Sequence, residues 1–201
     1  MEYIVGVDLG QARDFTAITV LEEHPGRKFH IRHLDRIRLD YVEVVEHVHA
    51  LLRREPLQRC TSLVVDATGV GRPVIDLMRS KGLRPVPVTI HGGDVVTKAE
   101  DRFWRVPKRD LVASLQVAME TGTLQIAEEL ELADVLVKEL QNFRVKININ
   151  SGHDSYEAWR EKDHDDLVLA AAVAVWWGKR QPGPPPDPNM LARRGLLIRM
   201  I

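Results

Sequence analysis

Apolar and polar positions along the chain fall into short continuous runs first and into longer stretches at helical spacing afterwards. Residues 3–9 are apolar apart from Gly6 and Asp8, which reads as a buried strand. Residues 16–22 and 29–34 read as the next two strands. His24-Pro25-Gly26-Arg27 supplies the turn between them. Three such strands in succession predict an antiparallel meander. Asp40 is placed to cap a helix over 41–54, where Val44, Val48 and Leu51 or Leu52 form an apolar stripe, and Pro56 ends it. Residues 61–66 are a short apolar run ending in Asp66, as expected of a parallel strand covered on both faces.

Gly69 and Gly71 make the following turn. Pro73 suits the first turn of a helix to residue 80, and Gly82 suits its end. Residues 85–90 predict another strand. Residues 91–106 show little periodicity and predict a functional or mobile loop. Pro107 opens a helix to about residue 120, with Gly122 at its end. A helix over 130–140 follows, then a strand over 143–149, a turn at Asn150-Ser151-Gly152, and a last helix over 163–177. Strands first and alternation afterwards place the chain in the α/β class. Residues 181–188 are proline-rich and predict a stiff linker. The expected organisation is one domain over residues 1–180, then a linker and tail over 181–201.

Composition narrows the reading only a little. Hydrophobic residues make up 44% and charged residues 28% of the 201, a globular balance and not a disordered one. The net charge of -1 gives no global sign of a polyanion partner, so nucleic-acid binding has to rest on local basic patches. A single cysteine, Cys60, excludes a disulfide framework or a cysteine-rich zinc site within one chain. The opening residues carry Asp8 inside the apolar stretch, unlike a signal peptide, and residues 167–177 are too short an apolar run to cross a bilayer. These features lead to the expectation of a cytoplasmic protein.

The candidate chemistry lies in aspartates at element ends. Asp8 stands near the end of the first strand, before Gly10. Asp66 ends the fourth strand, before Ala67-Thr68-Gly69. Asp165 and Asp166 open the last helix. The carboxyl edge of an open α/β sheet is where such folds place their sites. Each aspartate alone has a plain structural explanation as a turn residue, a helix cap or a partner of the helix dipole. Together they suggest a centre for hard divalent cations, because gathered carboxylates repel one another unless a cation offsets the charge. Oxygen ligands favour Mg²⁺ or Mn²⁺ over zinc.

Four segments carry a resemblance: Gly6-Val-Asp-Leu-Gly-Gln-Ala-Arg-Asp-Phe-Thr-Ala, Val64-Val-Asp-Ala-Thr-Gly-Val-Gly, Val106-Pro-Lys-Arg-Asp-Leu-Val and His164-Asp-Asp-Leu-Val-Leu-Ala. In that order they resemble the nuclease domain of phage large terminase subunits, over residues 3–177. The resemblance implies a ribonuclease H-like fold, with a mixed sheet whose first three strands are antiparallel and whose later strands are parallel, flanked by helices. It implies a metal-dependent endonuclease that cuts double-stranded DNA during genome packaging. In that scheme Asp8 bridges two Mg²⁺ or Mn²⁺ ions, Asp66 holds one of them and Asp166 the other, with Asp165 as an alternative ligand. Asp163, at i−3 from Asp166, and His164 would stand behind those ligands. The implied partners are a terminase ATPase motor, a small terminase subunit and the portal. The motor's own phosphate loop, G-x-x-x-x-G-K-[ST], does not occur in the sequence, so neither ATP hydrolysis nor DNA translocation is expected of this chain.

Lys98, Arg102, Arg105, Lys108 and Arg109 cluster around Phe103 and Trp104 and are the candidate DNA contacts. The competing explanation is a solvated loop with Trp104 tucked into the core. Three other functions compete with the endonuclease reading. One is a Holliday-junction resolvase on the same fold. Another is a non-catalytic assembly module. The third is an actin-like ATP-binding fragment, which Gly6-Val-Asp-Leu-Gly also resembles, although such proteins need two domains of this size.

Overall fold

The chain opens with three strands, β1 (Glu2–Asp8), β2 (Thr16–His24) and β3 (Lys28–Ile37), in the expected antiparallel meander. Helix α1 (Tyr41–Leu52) follows. Its N-cap is the predicted Asp40, whose carboxylate accepts from the backbone N–H groups of Val42 and Glu43 at 2.9 Å, while the Glu43 side chain reaches back to the Asp40 N–H. Then come β4 (Thr61–Asp66), α2 (Gly71–Ser80), β5 (Pro85–His91), β6 (Thr97–Lys98), β7 (Trp104–Pro107), α3 (Lys108–Glu120), β8 (Leu124–Ile126), α4 (Ala133–Ile149) and α5 (Asp166–Arg180). The computed structural model describes residues 2–10, 14–58, 61–69, 71–99, 103–149 and 165–182, with the backbone alone for 143–149.

Among the described residues the strands form one mixed sheet, in the order β6-β7-β5-β4-β1-β2-β3-β8. β4, β5 and β7 run parallel to β1, and β8 pairs parallel with β3 at the far edge. Helices α1 and α2 cover one face, over a core that includes Val5, Val7, Ile18, Val65 and Ile75. Helices α3, α4 and α5 cover the other, over Ile4, Leu21, Phe29, Val64 and Leu115. α5 is apolar almost all round and, apart from half-buried Leu169, is buried from Leu167 to Trp176, as a helix between a sheet and other helices must be.

Three expectations need correction. Residues 143–149 are not a strand: they continue α4, because nothing from Ala133 to Ile149 is a glycine or proline that would stop a helix. Alternation over seven residues fits either state. The stretch 91–106 is not wholly loop, since β6 and β7 add two short strands to the sheet edge. β8, three residues long, was too short to leave a periodic trace. The last helix begins at Asp166 in the described residues.

What sets the geometry of the site is how closely α5 lies on β1. A Cβ added at Gly6 would stand 2.0 Å from the Ala170 carbonyl oxygen, and one at Gly178 would stand 2.7 Å from Ile4 Cδ1. Small residues at 170, 174 and 178 therefore line the helix face against the strand, and α5 runs antiparallel to β1. The far end is anchored by Arg27, from the β2–β3 turn. Its guanidinium donates to the Gly178 carbonyl at 2.8 Å and to that of Gln181, satisfying the end of the helix. Gly6→Ala is expected to force helix and strand apart and to lower stability by about 2 kcal/mol or more, at the upper part of the overpacking range. Urea unfolding reads this as a fall in the midpoint; an unchanged midpoint would contradict the close approach.

Candidate active site

β1 and β4 are parallel neighbours, and Asp8 is the register partner of Asp66. The two Cα atoms therefore stand about 4.8 Å apart, and both side chains leave the same face of the sheet. That face is the one under α5, since Asp8 is two residues beyond Gly6 and Asp66 two beyond Val64. The register row continues through Ala17 on β2 to Arg36 on β3.

Local chemistry fixes Asp66. Asp66 is 2% exposed, and its Oδ1 accepts from the Thr68 N–H at 2.8 Å, a turn that aims the carboxylate along the sheet edge. Thr68 Oγ1 in turn accepts from the Ile90 N–H at 2.7 Å, tying this turn to β5. Gly69 and Gly71 are both at positive φ, a backbone conformation that glycine adopts without strain. Two residues beyond Asp8, Gly10 lies close to the chain entering β2, where a Cβ would meet the Phe15 backbone at 2.5 Å.

α5 brings the third aspartate. Ala170 lies over Gly6, and Asp166 is one turn earlier on the same helix face, roughly 6 Å along the axis. Asp8 is two residues beyond Gly6, roughly 7 Å along the strand. Because helix and strand are antiparallel, both steps lead to the same end of the sheet. There Asp166 Oδ2 accepts from Arg36 Nη2 at 3.0 Å. Arg36 also stacks on the Phe15 ring at 4.5 Å. Asp165 is the N-cap residue of α5, and its side chain makes no cap hydrogen bond.

The helix N-terminus is capped instead from α4. Glu139 Oε2 accepts from the N–H groups of Leu167 and Val168 at 3.1 and 3.3 Å, and Glu139 Oε1 lies 3.7 Å from Arg36 Nη1. Arg36 thus stands between two carboxylates, on Asp166 and Glu139. Sequence reasoning identified neither Arg36 nor Glu139. Arg36 shares the strand parity of inward-facing Leu34, a signal that a longer β3 would have exposed. Glu139 lies within a predicted helix, where nothing local marks it as buried.

Of the expected residues, Asp8, Asp66 and Asp166 come to one end of the sheet, with Asp165 beside them. Their ligand oxygens are not drawn into a single knot: among the described residues, the one group of three such side chains with ligand atoms all within 4.8 Å is elsewhere. Like charges and the pull of Arg36 on Asp166 account for this spread. Asp163, His164 and Arg102 lie outside the described residues. Lys108 and Arg109 open α3 at the carboxyl edge, beside the end of β7. Arg109 is engaged by Asp94 through its side chain and its carbonyl. Lys98 and Arg105 are exposed, with Lys98 Nζ 5.1 Å above the half-buried Trp104 ring. Trp104 packs edge-on against Trp176 and Trp177.

A meander joined to parallel strands, with a final helix laid across the first strand and acidic residues at their meeting point, defines a ribonuclease H-like architecture. The model of the terminase RNase H-like domain family matches residues 5–175, and the chain belongs to that family. The large terminase nuclease of the thermophilic phage G20c is similar in structure, with a TM-score of 0.59 and 20% identity over 86% of this chain and 80% of that one. The human cytomegalovirus terminase nuclease domain soaked with Mn has a TM-score of 0.53 and 17% identity over 86% of this chain and 81% of that one. A further structure of the cytomegalovirus domain covers 96% of this chain and 88% of that one, at a TM-score of 0.53 and 15% identity. No curated protein matches the sequence.

Burial pushes the Glu139 carboxyl up from 4.5 to about 7, and the Asp166 charge adds to this; the Val168 and Leu167 N–H groups and Arg36 oppose it. Between those two values the folded chain holds a proton that the unfolded chain has released. Stability therefore falls as pH rises through the window, by an amount on the order of 3 kcal/mol for a shift from 4.5 to about 7. Glu139→Gln is expected to remove that slope from thermal unfolding of the metal-free protein measured between the two values. The same slope in the variant would contradict the assignment.

Proposed function

We propose that this chain is an endonuclease that hydrolyses phosphodiester bonds of double-stranded DNA, with Asp8, Asp66 and Asp166 as its catalytic carboxylates. The observation that carries the reading is the Asp8–Asp66 register pair beneath the first turn of α5. Family membership and the nuclease names of the structural relatives support it.

The donor set fits Mg²⁺ or Mn²⁺. All the donors are carboxylate oxygens, and Asp166 is balanced by a guanidinium that an incoming cation would replace. Asp8 would be shared by two ions, Asp66 would hold one and Asp166 the other, with Asp165 as the alternative to Asp166. Two bound ions supply an activated water and stabilisation of the leaving oxygen. The chain's own residues do the rest. The Thr68 N–H holds the Asp66 carboxylate in a single orientation. Glu139 fixes the start of α5, and with it the position of Asp166. Arg36, once parted from Asp166, presents two donors to a substrate phosphate in the planar fork that suits that group.

Lys98, Arg105, Lys108 and Arg109 would contact the DNA backbone along the β7–α3 side, with Arg102 as a further candidate. The same reading makes residues 1–180 the catalytic domain and 181–201 a linker and tail. A terminase ATPase motor, a small terminase subunit and the portal would be its partners in the host cytoplasm. No helix among the described residues is long and apolar enough to cross a membrane.

Plasmid nicking in Mg²⁺ or Mn²⁺ tests the proposal. Asp8→Asn and Asp66→Asn should each lower the rate by at least about 100-fold, because changes even to groups behind metal ligands cost about 10–100-fold. Wild-type rates in both folded variants would overturn it.

A further inference from the structure

A second cluster of ligand-forming side chains lies at the opposite end of the sheet, on the face away from α5. Glu22 and His24 are two residues apart on β2, so their side chains leave the same face. His30 is the register partner of Glu22 on β3 and shares that face. One ligand atom from each of the three lies within 4.8 Å of the other two. Tyr3, the partner of Glu22 on β1, is five residues from Asp8 along the strand, which puts this cluster roughly 17 Å from the aspartates.

One ligand atom of the cluster, His24 Nε2, is unsatisfied. His24 Nε2 lies 3.2 Å from Glu22 Oε2, yet it is buried and makes no hydrogen bond of acceptable geometry. The His24 and His30 rings sit against each other with centroids 4.1 Å apart. The Glu22 carboxylate is already oriented, because its Oε1 accepts from Tyr3 OH at 3.2 Å. Outer hydrogen bonds of this sort orient ligands at metal sites. Arg32, two residues beyond His30 on β3 at the register irregularity between Val20 and Leu21, lies on this face too, with Nε 3.4 Å from Glu22 Oε2. The Arg32 side chain is 57% exposed, so it can swing into solvent and give up the carboxylate.

We propose that Glu22, His24 and His30 form a binding site for a zinc-class transition-metal ion, separate from the carboxylate centre. Two imidazole nitrogens and one carboxylate oxygen select Zn²⁺ over Mg²⁺ or Ca²⁺. At zinc bond lengths, tetrahedral ligand atoms stand roughly 3.4 Å apart, which side-chain rotation reaches from the present separation. Three protein ligands leave one position to solvent. The ion clamps the β2–β3 hairpin beside its turn, and the turn's Arg27 grips the end of α5. The site thus stiffens the anchor of the helix that carries Asp166.

The test is Zn²⁺ titration by calorimetry on the tag-free full chain carrying Asp8→Asn and Asp66→Asn, with Co²⁺ absorption as a probe of coordination. Wild type in excess Mg²⁺ serves if that variant folds poorly. One equivalent of Zn²⁺ should bind, raise the unfolding temperature, and give Co²⁺ the visible bands of a four- or five-coordinate site. His24→Ala or His30→Ala should weaken binding by about tenfold or more, and Arg32→Gln should tighten it. Absence of saturable binding, or binding unchanged in both histidine variants, would overturn the proposal. Because the readout is binding, it stands or falls independently of DNA cleavage.

Discussion

Everything at the candidate site depends on a helix lying close against a strand where one glycine and a row of small residues meet. Gly6 gives α5 room to bring its backbone onto β1, and Ala170, Ala174 and Gly178 keep that helix face thin. With the two elements in contact and antiparallel, the start of the helix and the end of the strand coincide. A larger residue at position 6 would lift the helix and carry its first turn off the carboxylate pair. The contact is therefore a positioning device as well as a packing one, held at its two ends by side chains from elsewhere: Arg27 on the last carbonyls and Glu139 on the first N–H groups.

The electrostatics follow from that placement. Bringing Asp166 toward Asp8 and Asp66 concentrates negative charge at the edge of a buried core, which is unfavourable without a cation. The fold supplies one of its own in Arg36, paired with Asp166 and packed on Phe15. An arginine cannot lose its charge, but it can move, so it balances the site without blocking it. Glu139 takes the other side of the same guanidinium and the dipole of α5. The result is a chain of linked charges running from α4 through β3 to the first turn of α5.

How much of this could be read from the residues alone follows from the range of the signals. Asp8 and Asp66 were legible because a strand pattern ending in aspartate before a glycine turn is local, and the parallel order of β1 and β4 then makes them neighbours. Asp166 was legible from its place before a long apolar run. Which of Asp165 and Asp166 faces the sheet was not, since that depends on where the helix starts and how it is rotated, and the pairing with Arg36 favours Asp166. Glu139 and Arg36 were invisible because a long-range contact defines each. Residues 143–149 went wrong for the opposite reason, as a short alternating pattern was preferred to the continuity of a helix with no breaker. The cluster of Glu22, His24 and His30 leaves no local signal, because the pairing of β2 with β3 brings it together.

The central claim is that α5 and the register of β1 with β4 build a carboxylate centre for hard divalent cations. A crystal grown with Mn²⁺ and read by anomalous scattering tests it most directly. The account predicts Mn²⁺ density contacting Asp8, Asp66 and Asp166, with Arg36 withdrawn from Asp166. Density confined to other residues, or an intact Arg36–Asp166 pair at saturating Mn²⁺ with no ion beside Asp8, would contradict it.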